Sequence, residues 1–384
     1  MPRGASSAPA VSGKDFARYT LVQSTACLEN KIDSMTPAER ARAHRAQGQL
    51  NEGTLTVPAE KDRSIRVGFV GLGIIGSAFS KHLLAKGFDV SGYDPERARL
   101  DLLQKRKGKP RRSPAAVAAS SDVVMTALAS YGAYEAAYFG RDGIASKAAR
   151  GLIVVDVSTM PLERKLLARD RLAKLGVTML DCPISGTGAQ AETGDVAVYA
   201  SGPQSAVRKA WPVLEGFARK VWSIGEFGAG SKLKYVANHL VTIHNVAAAE
   251  ALTLGIKSGL DADLMLQALA NGAGTSRMLE IRGPLMIADR YDEPTMKCDV
   301  YQKDIDIIGE FAAKLHCPTP LFDASRALYS AALAQGRAEQ DTAAVCAVLK
   351  EMAGLSRAVA RPAPGLSRAV PRPAQRTRKP TPTR

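Results

Sequence analysis

The stretch VGFVGLGIIGSAFSKHLLAKGFDVSGYD, residues 67–94, decides the fold. An apolar strand-like run leads into the pattern Gly71-x-Gly73-x-x-Gly76, and a helical pattern follows. In such a motif the first glycine permits a tight turn, the second lets the backbone approach a pyrophosphate, and the third lets helix and strand pack closely. The free N–H groups at the start of the helix then face the phosphates. The spacing therefore predicts a dinucleotide site.

An acidic residue completes this pattern. Asp94 ends the second strand-like run, about twenty residues beyond the glycines, where a carboxylate can bind the 2′-hydroxyl of a ribose. Because a carboxylate there would repel a 2′-phosphate, we expect NAD to be preferred as cofactor. Arg97 lies close in the sequence and keeps NADP open as the alternative.

Two segments of different pattern follow one another along the chain. Strand-like and helical runs alternate over residues 64–225, which predicts a parallel sheet with helices on its faces. The run 232–259 is helical and apolar on nearly every side, so we expect it to be buried. We predict an α/β Rossmann dinucleotide-binding domain over residues 64–228 and an all-α domain over 229–352.

The two ends differ from this body in composition. Residues 1–63 have no sustained core pattern, and we interpret them as an appendage. Residues 353–384 are rich in Arg and Pro, and we expect a disordered tail. The tail holds about half of the formal net charge of +15 and leaves the body only mildly basic, which makes nucleic acid an unfavoured partner. Its cations are Arg357, Arg361, Arg368, Arg372, Arg376, Arg378, Lys379 and Arg384.

Several classes of protein are disfavoured by composition. No apolar run approaches the roughly 20 residues that cross a bilayer, and the N-terminus does not resemble a secretory signal. We therefore expect a cytoplasmic protein that does not bind membranes. The 5 cysteines form no CxxC pair and the 5 histidines form no HExxH motif, so we expect reduced thiols and no metal.

Four segments together resemble the β-hydroxyacid dehydrogenase family, which includes 3-hydroxyisobutyrate dehydrogenase and tartronate semialdehyde reductase. The resemblance covers about residues 65–350. The segments are the cofactor loop Gly71-Leu72-Gly73-Ile74-Ile75-Gly76, VVDVSTMP at 154–161, DCPISGTGAQAETGDVAVYASG at 181–202, and GAGSKLKYVANHL at 228–240.

The resemblance implies further cofactor contacts. Thr159 would lie beside the nicotinamide half, and Leu128 would belong to a cofactor-facing loop in which Ala129 replaces the usual proline. YQKDIDI, at 301–307, is similar to a K-D-L segment, and Lys303 would then reach the cofactor. The alternatives are a strand-end or helix-cap role for Thr159 and a plain surface ion pair for Lys303.

The resemblance also implies a substrate site. Ser185, Gly186 and Thr187 would hold the substrate carboxylate, because a hydroxyl and exposed N–H groups can cradle an anion. A plain Gly/Ser turn is the alternative. Thr187 stands where the family usually has glycine, so the usual substrate is in question.

The catalytic residues implied by the resemblance are Lys234 and Asn238. They lie four residues apart, on one face of a helix, whereas Lys232 falls on another face. Desolvation in an apolar helix would favour a neutral amine that exchanges protons. Ala237 replaces the first asparagine of the family's pair.

The resemblance thus implies an NAD(P)-dependent enzyme that interconverts a small 3-hydroxyacid and its semialdehyde or ketoacid. The implied partners are a carboxylate-bearing substrate and other copies of the chain, in a homodimer or homotetramer. One alternative is an imine or other carbonyl reductase, against which Lys234 argues. Another is a dinucleotide-binding scaffold whose basic tail binds nucleic acid.

Overall fold

The computed structural model describes residues 64–355, which divide into two compact units, one ending at Lys234 and one beginning at Tyr235. The predicted appendage over 1–63 and all but the first residues of the predicted tail lie outside the described residues. The predicted domain boundary lies between residues 228 and 229, where a long helix begins. The division between the two compact units lies within that helix, after Lys234.

The first unit is built on a sheet of nine strands among the described residues. The strands are β1 (Arg66–Val70), β2 (Asp89–Tyr93), β3 (Lys109–Pro110), β4 (Val123–Thr126), β5 (Ile153–Asp156), β6 (Thr178–Asp181), β7 (Ile184–Ser185), β8 (Ala197–Ser201) and β9 (Lys220–Gly225). Their order is β3-β2-β1-β4-β5-β6-β8-β7, with β9 paired to β8. The first six strands of this order run parallel, and the direction of connection reverses between β1 and β4. Ligands bind beside such a reversal, at the carboxyl ends of the strands.

Helices cover both faces of this sheet. They are α1 (Ile74–Ala85), α2 (Arg97–Lys105), α3 (Pro114–Ala118), α4 (Tyr131–Phe139), α5 (Leu162–Ala173), α6 (Gly188–Thr193) and α7 (Gln204–Phe217). Along β4, Val123 and Met125 belong to one apolar core cluster, whereas Val124 belongs to the other. Successive side chains of a strand point to opposite faces, so a sheet buried on both faces needs an apolar residue at every position. The predicted Rossmann fold is confirmed.

The strands with the strongest apolar pattern were predicted, and the others were not. The segment around β8 was interpreted only as a substrate loop, yet it contains α6 and β8, and β8 pairs antiparallel with β7 and parallel with β9. β3 and β7 contain two residues each, which is too short for a periodic pattern.

The second unit is helical, as predicted. Its helices are the greater part of α8 (Ala229–Lys257), α9 (Ala262–Ala270), α10 (Arg277–Ile287), α11 (Cys298–Lys314), α12 (Pro320–Ala334) and α13 (Val345–Met352). A buried ion pair joins Arg282 Nε to Asp341 Oδ1 at 3.2 Å, and Asp341 also accepts the N–H groups of Thr295 and Ala343. None of the helices within residues 64–355 is long and apolar enough to cross a membrane.

The helix α8 is less buried than its composition indicated. Val236, Leu240 and Leu254 expose 55%, 48% and 71% of their surface in the single chain. Val236 and Leu254 are five helical turns apart, and Leu240 is one turn from Val236, so these side chains form one stripe. The expectation that this helix is buried on nearly every side was therefore wrong for the single chain.

The described cysteines are unpaired thiols. Cys182 belongs to the first unit, and Cys298, Cys317 and Cys346 belong to the second. Burial raises the pKa of the thiols of Cys182, Cys298 and Cys346, whereas Cys317 is exposed.

Candidate active site

The glycine loop connects β1 to α1 at the carboxyl edge of the sheet. Gly71 has φ +93°, which favours glycine, and its N–H donates to the carbonyl of Tyr93 at 3.0 Å. A Cβ on Gly71 would lie 2.4 Å from the carbonyl oxygen of Ala127, and one on Gly76 would lie 2.0 Å from that of Gly71. These glycines therefore serve the close packing of loop, helix and neighbouring strand.

Gly73 differs from the other two glycines of the motif. The nearest atom to a Cβ on this residue would be Nη1 of Arg99, at 3.5 Å, so the protein itself leaves room there. Gly73 is also the N-cap of α1, and because it has no side chain it cannot cap the first N–H groups of that helix. An open approach to the first N–H groups of a helix suits a phosphate, so the loop fits the pyrophosphate of a dinucleotide.

The apolar residues of the loop have different environments. Leu72 is buried in the core beneath the loop, Ile75 is partly buried, and Ile74 is largely exposed at the start of α1. Leu72 therefore supports the loop from below, and Ile74 lies at its surface.

Asp94 follows β2 and is buried beside the glycine loop. Its Oδ2 accepts the N–H of Leu72 at 2.7 Å, and its Oδ1 accepts the N–H of Glu96 at 3.0 Å. The hydrogen bond from Leu72 therefore uses one oxygen of this carboxylate to hold the glycine loop in place.

The cation beside Asp94 is Arg99, which the sequence analysis did not identify. Nη1 of Arg99 lies 3.3 Å from Oδ2 of Asp94, and its Nε pairs with Glu96 at 2.8 Å. Arg97, which we had considered for a 2′-phosphate, pairs instead with Asp101 at 3.0 Å. Both arginines lie on α2, and of the two it is Arg99 that pairs with Asp94.

The residues predicted beside the nicotinamide follow β4 and β5. The N–H of Leu128 donates to Oγ of Ser158 at 3.0 Å, which ties the loop after β4 to the residue before Thr159. Thr159 and Leu128 are partly buried. The structure thus brings these two segments together at the edge where the glycine loop lies.

The predicted substrate loop has a defined conformation. Gly186 follows Ser185 with φ +144°, and a Cβ on it would lie 2.8 Å from the side chain of Val196. Thr187 caps α6: its Oγ1 accepts the N–H of Gln190 at 3.3 Å, and its own N–H donates to Oε1 of Gln190 at 3.0 Å. The polar groups of Thr187 are therefore used within the loop.

Lys234 lies in the second turn of α8 and is partly buried, whereas Lys232 is exposed. The start of this helix is fixed on the sheet by Asp181, the last residue of β6. Its Oδ2 accepts the N–H of Ser231 at 2.7 Å, and its Oδ1 accepts the Ser231 hydroxyl at 2.8 Å. The amine thus follows a firmly anchored helical turn.

Asn238 is buried one turn after Lys234 on the same helix. Its Nδ2 donates to Oδ2 of Asp304 at 2.9 Å, and its carbonyl accepts the hydroxyls of Thr242 and Tyr301. Lys303 pairs with Asp304 through Oδ1 at 3.0 Å. Asp304, which the sequence analysis did not single out, therefore connects the two predicted site residues of the second unit and fixes the orientation of the Asn238 amide.

Comparison with known proteins gives a consistent result over most of the chain. Residues 66–225 match the family model for the NAD binding domain of 6-phosphogluconate dehydrogenase. Residues 228–349 match the model described as NAD-binding of NADP-dependent 3-hydroxyisobutyrate dehydrogenase. The two models meet at the start of α8.

Individual relatives agree with these models. The chain is 34% identical to L-threonate dehydrogenase of Cupriavidus necator, over 73% of this chain and 95% of the relative. It is 29% identical to 3-sulfolactaldehyde reductase of Escherichia coli, over 76% and 98% of the two chains. The crystal structure of 3-hydroxyisobutyrate dehydrogenase from Salmonella typhimurium superposes with a TM-score of 0.69 at 28% identity, covering 74% of this chain and all of that one.

A parallel sheet with a glycine loop at its carboxyl edge, followed by a helical unit, defines an NAD(P)-dependent oxidoreductase. The chain belongs to the β-hydroxyacid dehydrogenase family. The enzyme class and the nicotinamide cofactor predicted from the sequence are confirmed.

The contrast between Gly73 and Gly76 gives a test of the cofactor loop. We expect Gly73→Ala to raise the Kd for NAD⁺ about tenfold or more, since its methyl group would occupy the approach to the pyrophosphate. Its melting temperature should change little, because the added Cβ meets only Arg99, at 3.5 Å. Calorimetric titration with NAD⁺ and thermal unfolding measure the two effects.

The matched variant is Gly76→Ala. Its Cβ would overlap the Gly71 carbonyl, and we expect it to cost about 1–3 kcal/mol of stability through overpacking. If Gly73→Ala destabilised the fold as much as Gly76→Ala while binding NAD⁺ normally, the assignment of Gly73 to the pyrophosphate would be wrong.

Proposed function

We propose that this enzyme interconverts a small 3-hydroxyacid and its semialdehyde or ketoacid, with Lys234 as the general acid and base. The observation that carries the proposal is the pairing of Lys234 with Asn238 one turn apart on α8. The first turn of this helix is anchored by Asp181, and the Asn238 amide is oriented by Asp304. An amine and an oriented amide on one helix face can both hydrogen-bond to a single substrate oxygen.

The bound nicotinamide supplies hydride chemistry, and the protein supplies position and proton transfer. In the oxidation, the neutral amine of Lys234 takes the proton of the substrate hydroxyl. In the reduction, the ammonium returns that proton to the substrate oxygen. One amide N–H of Asn238 donates to Asp304, and we assign the orientation of that substrate oxygen to the rest of the amide.

We assign the substrate carboxylate to the segment Ser185–Gly186. The Ser185 hydroxyl can donate to an anion. Gly186 adopts φ +144°, and its lack of a side chain lets the segment pack against Val196, which fixes the position of Ser185. Thr187 shapes this segment as the cap of α6, because its own N–H and hydroxyl are occupied by Gln190. The relatives named above act on L-threonate and on 3-sulfolactaldehyde, both small and anionic, which supports a small anionic substrate here.

A panel of small hydroxyacids and semialdehydes tests the proposed function. The panel contains L-threonate, 3-hydroxyisobutyrate and 3-sulfolactaldehyde, each assayed with NAD(H) and NADP(H) by absorbance of the reduced nicotinamide. We expect turnover of at least one member. Lys234→Ala should lower its kcat by about 10²–10⁴-fold, the usual contribution of general acid–base catalysis.

Lys232→Ala is the matched control, because Lys232 is exposed and lies on another face of the helix. Its kcat should stay within about twofold of the wild type. Equal activity of Lys234→Ala and the wild type would remove Lys234 from the mechanism, and no turnover of any panel member would refute the proposed substrate class.

We further propose that NAD is preferred to NADP. The buried carboxylate of Asp94 disfavours a 2′-phosphate, whereas the neighbouring Arg99 attracts one. Part of that guanidinium is already used by Asp94 and Glu96, so the carboxylate should dominate.

Two arginines of α2 provide the test of this preference. We expect Arg99→Ala to raise the Kd for NADP⁺ about tenfold or more with little effect on NAD⁺, since a charged hydrogen bond to phosphate is lost. Arg97→Ala, which breaks only the exposed pair with Asp101, should leave both Kd values within about twofold. A wild-type enzyme that binds NADP⁺ more tightly than NAD⁺ would contradict the proposed preference.

We also propose that the enzyme associates into dimers or tetramers through the second unit. The exposed stripe of Val236, Leu240 and Leu254 on α8 supports this, because so much exposed apolar surface on one helix face is typical of an interface.

Sedimentation equilibrium tests the association. We expect the wild type to be dimeric or tetrameric at micromolar concentration and Leu254→Glu to weaken association at least tenfold, since a charge would be buried in an apolar contact. Leu315→Glu, which changes an exposed leucine outside the stripe, is the control. A monomeric wild type at these concentrations would contradict the proposal.

A further inference from the structure

A fully buried lysine lies beneath the candidate active site. Lys165, on α5, exposes none of its side chain, and its Nζ lies 2.8 Å from Oδ1 of Asp181 and 3.2 Å from Oδ2 of Asp156. Both carboxylates are also fully buried. None of these three residues belongs to the site predicted from the sequence.

The carboxylates end neighbouring strands. The register of the sheet aligns Thr126 with Asp156 and Asp156 with Asp181, so the last residues of β4, β5 and β6 form a polar row. Lys165 lies against this row at the carboxyl edge of the sheet. Residues of this edge lead directly into the loops assigned to the cofactor and the substrate.

Asp156 connects the row to the nicotinamide loops. Its Oδ1 accepts the Thr126 hydroxyl at 2.9 Å and the N–H of Ser158 at 3.1 Å. Since Thr126 donates to Asp156, the Tyr138 hydroxyl must donate to Thr126, and their oxygens are 2.8 Å apart. Burial and the charge of Asp156 raise the pKa of Tyr138, which keeps this phenol a donor.

Asp181 connects the row to the helix of Lys234. Besides Ser231, it contacts Ser201, whose hydroxyl accepts the N–H of Gly230 at 3.0 Å. A Cβ on Gly230 would lie 2.4 Å from the carbonyl oxygen of Tyr199, so the start of α8 is pressed against the sheet. Lys234 follows Ser231 by three residues.

The charges of this cluster explain why a lysine is needed. Two buried carboxylates and one ammonium leave a net negative charge, which the N-terminal end of α8 partly offsets through its dipole. Without the ammonium, the two carboxylates would repel each other, and Asp181 would move away from Asp156. That movement would alter the hydrogen bonds that Asp181 accepts from Ser231 at the start of α8.

We propose that Lys165 is a positioning residue: by holding the Asp181 carboxylate fixed at the N-terminus of α8, it sets the position of the catalytic amine of Lys234. This inference rests on the proton-transfer role proposed for Lys234. A purely structural ion pair would stabilise the fold without a particular effect on Lys234, so the two roles differ in measurable ways.

Hydrogen exchange of the full-length protein gives a readout that needs no substrate. In Lys165→Met we expect amide exchange in peptides that cover residues 229–240 to rise about tenfold or more, because the first N–H groups of α8 lose their fixed acceptor. Lys109→Met is the matched control, since it breaks an exposed pair with Asp89 in the same unit. Its exchange over 229–240 should equal that of the wild type, and unchanged exchange in Lys165→Met would overturn the proposal.

A double-mutant cycle tests the link to Lys234. On the fastest substrate of the hydroxyacid panel, we expect Lys165→Met to lower kcat about 100-fold, as small misplacements of reacting groups can do. The Kd for NAD⁺ should stay within about threefold of the wild type. In the Lys234→Ala background, the same substitution should cost less than about threefold, because the group through which it acts is already missing.

The outcomes separate this inference from the proposed function. If Lys234→Ala lowers kcat but the cost of Lys165→Met is the same in both backgrounds, Lys165 is not a positioning residue, and the function of Lys234 stands. If Lys234→Ala has no effect, both are wrong. If Lys165→Met does not fold, Ser231→Ala replaces it; this change removes only one donor to Asp181 and should give the same pattern with smaller effects.

Discussion

The hydrogen bonds to the carboxylate of Asp181 fix the start of α8 on the sheet of the first unit. Asp181 ends a central strand, accepts two hydrogen bonds from Ser231 at the start of α8, and pairs with the buried Lys165. A charged acceptor is the strongest anchor available for the free N–H groups of a helix. The sheet therefore defines where the long helix begins, and this in turn fixes where the residues of its first turns lie.

The glycine loop and the polar row both fix the positions of backbone segments at the carboxyl edge of the sheet. At Gly71 and Gly76, side chains are absent so that backbone segments can approach each other. At Asp156 and Asp181, charged side chains replace apolar ones so that loops and a helix receive fixed hydrogen-bond partners. Both features place loops and a helix on rigid elements, which is what accurate placement of ligands requires.

The sequence allowed the fold, the enzyme class and the nicotinamide cofactor to be predicted because their signals are local, and the site residues named from it stay predictions. The spacing of the glycines, the apolar runs of the central strands and the four-residue separation of Lys234 and Asn238 are all visible within one segment. The contacts of Arg99, Asp304 and Lys165 were not predicted. Lys165 and Ser231 meet Asp181 from 16 and 50 residues away, and no local pattern encodes such contacts. Thr187 was interpreted from its family position, whereas its capping bond to Gln190 depends on α6, which was not predicted.

The buried thiols have a consequence for studies of the folded enzyme. Three thiols are buried and have raised pKa values: those of Cys182, Cys298 and Cys346. They therefore stay protonated and inaccessible to alkylating reagents in the folded protein. Cys182 lies in the sheet unit and the other two in the helical unit. The rate at which each thiol becomes modified therefore reports, unit by unit, how often that part of the protein opens.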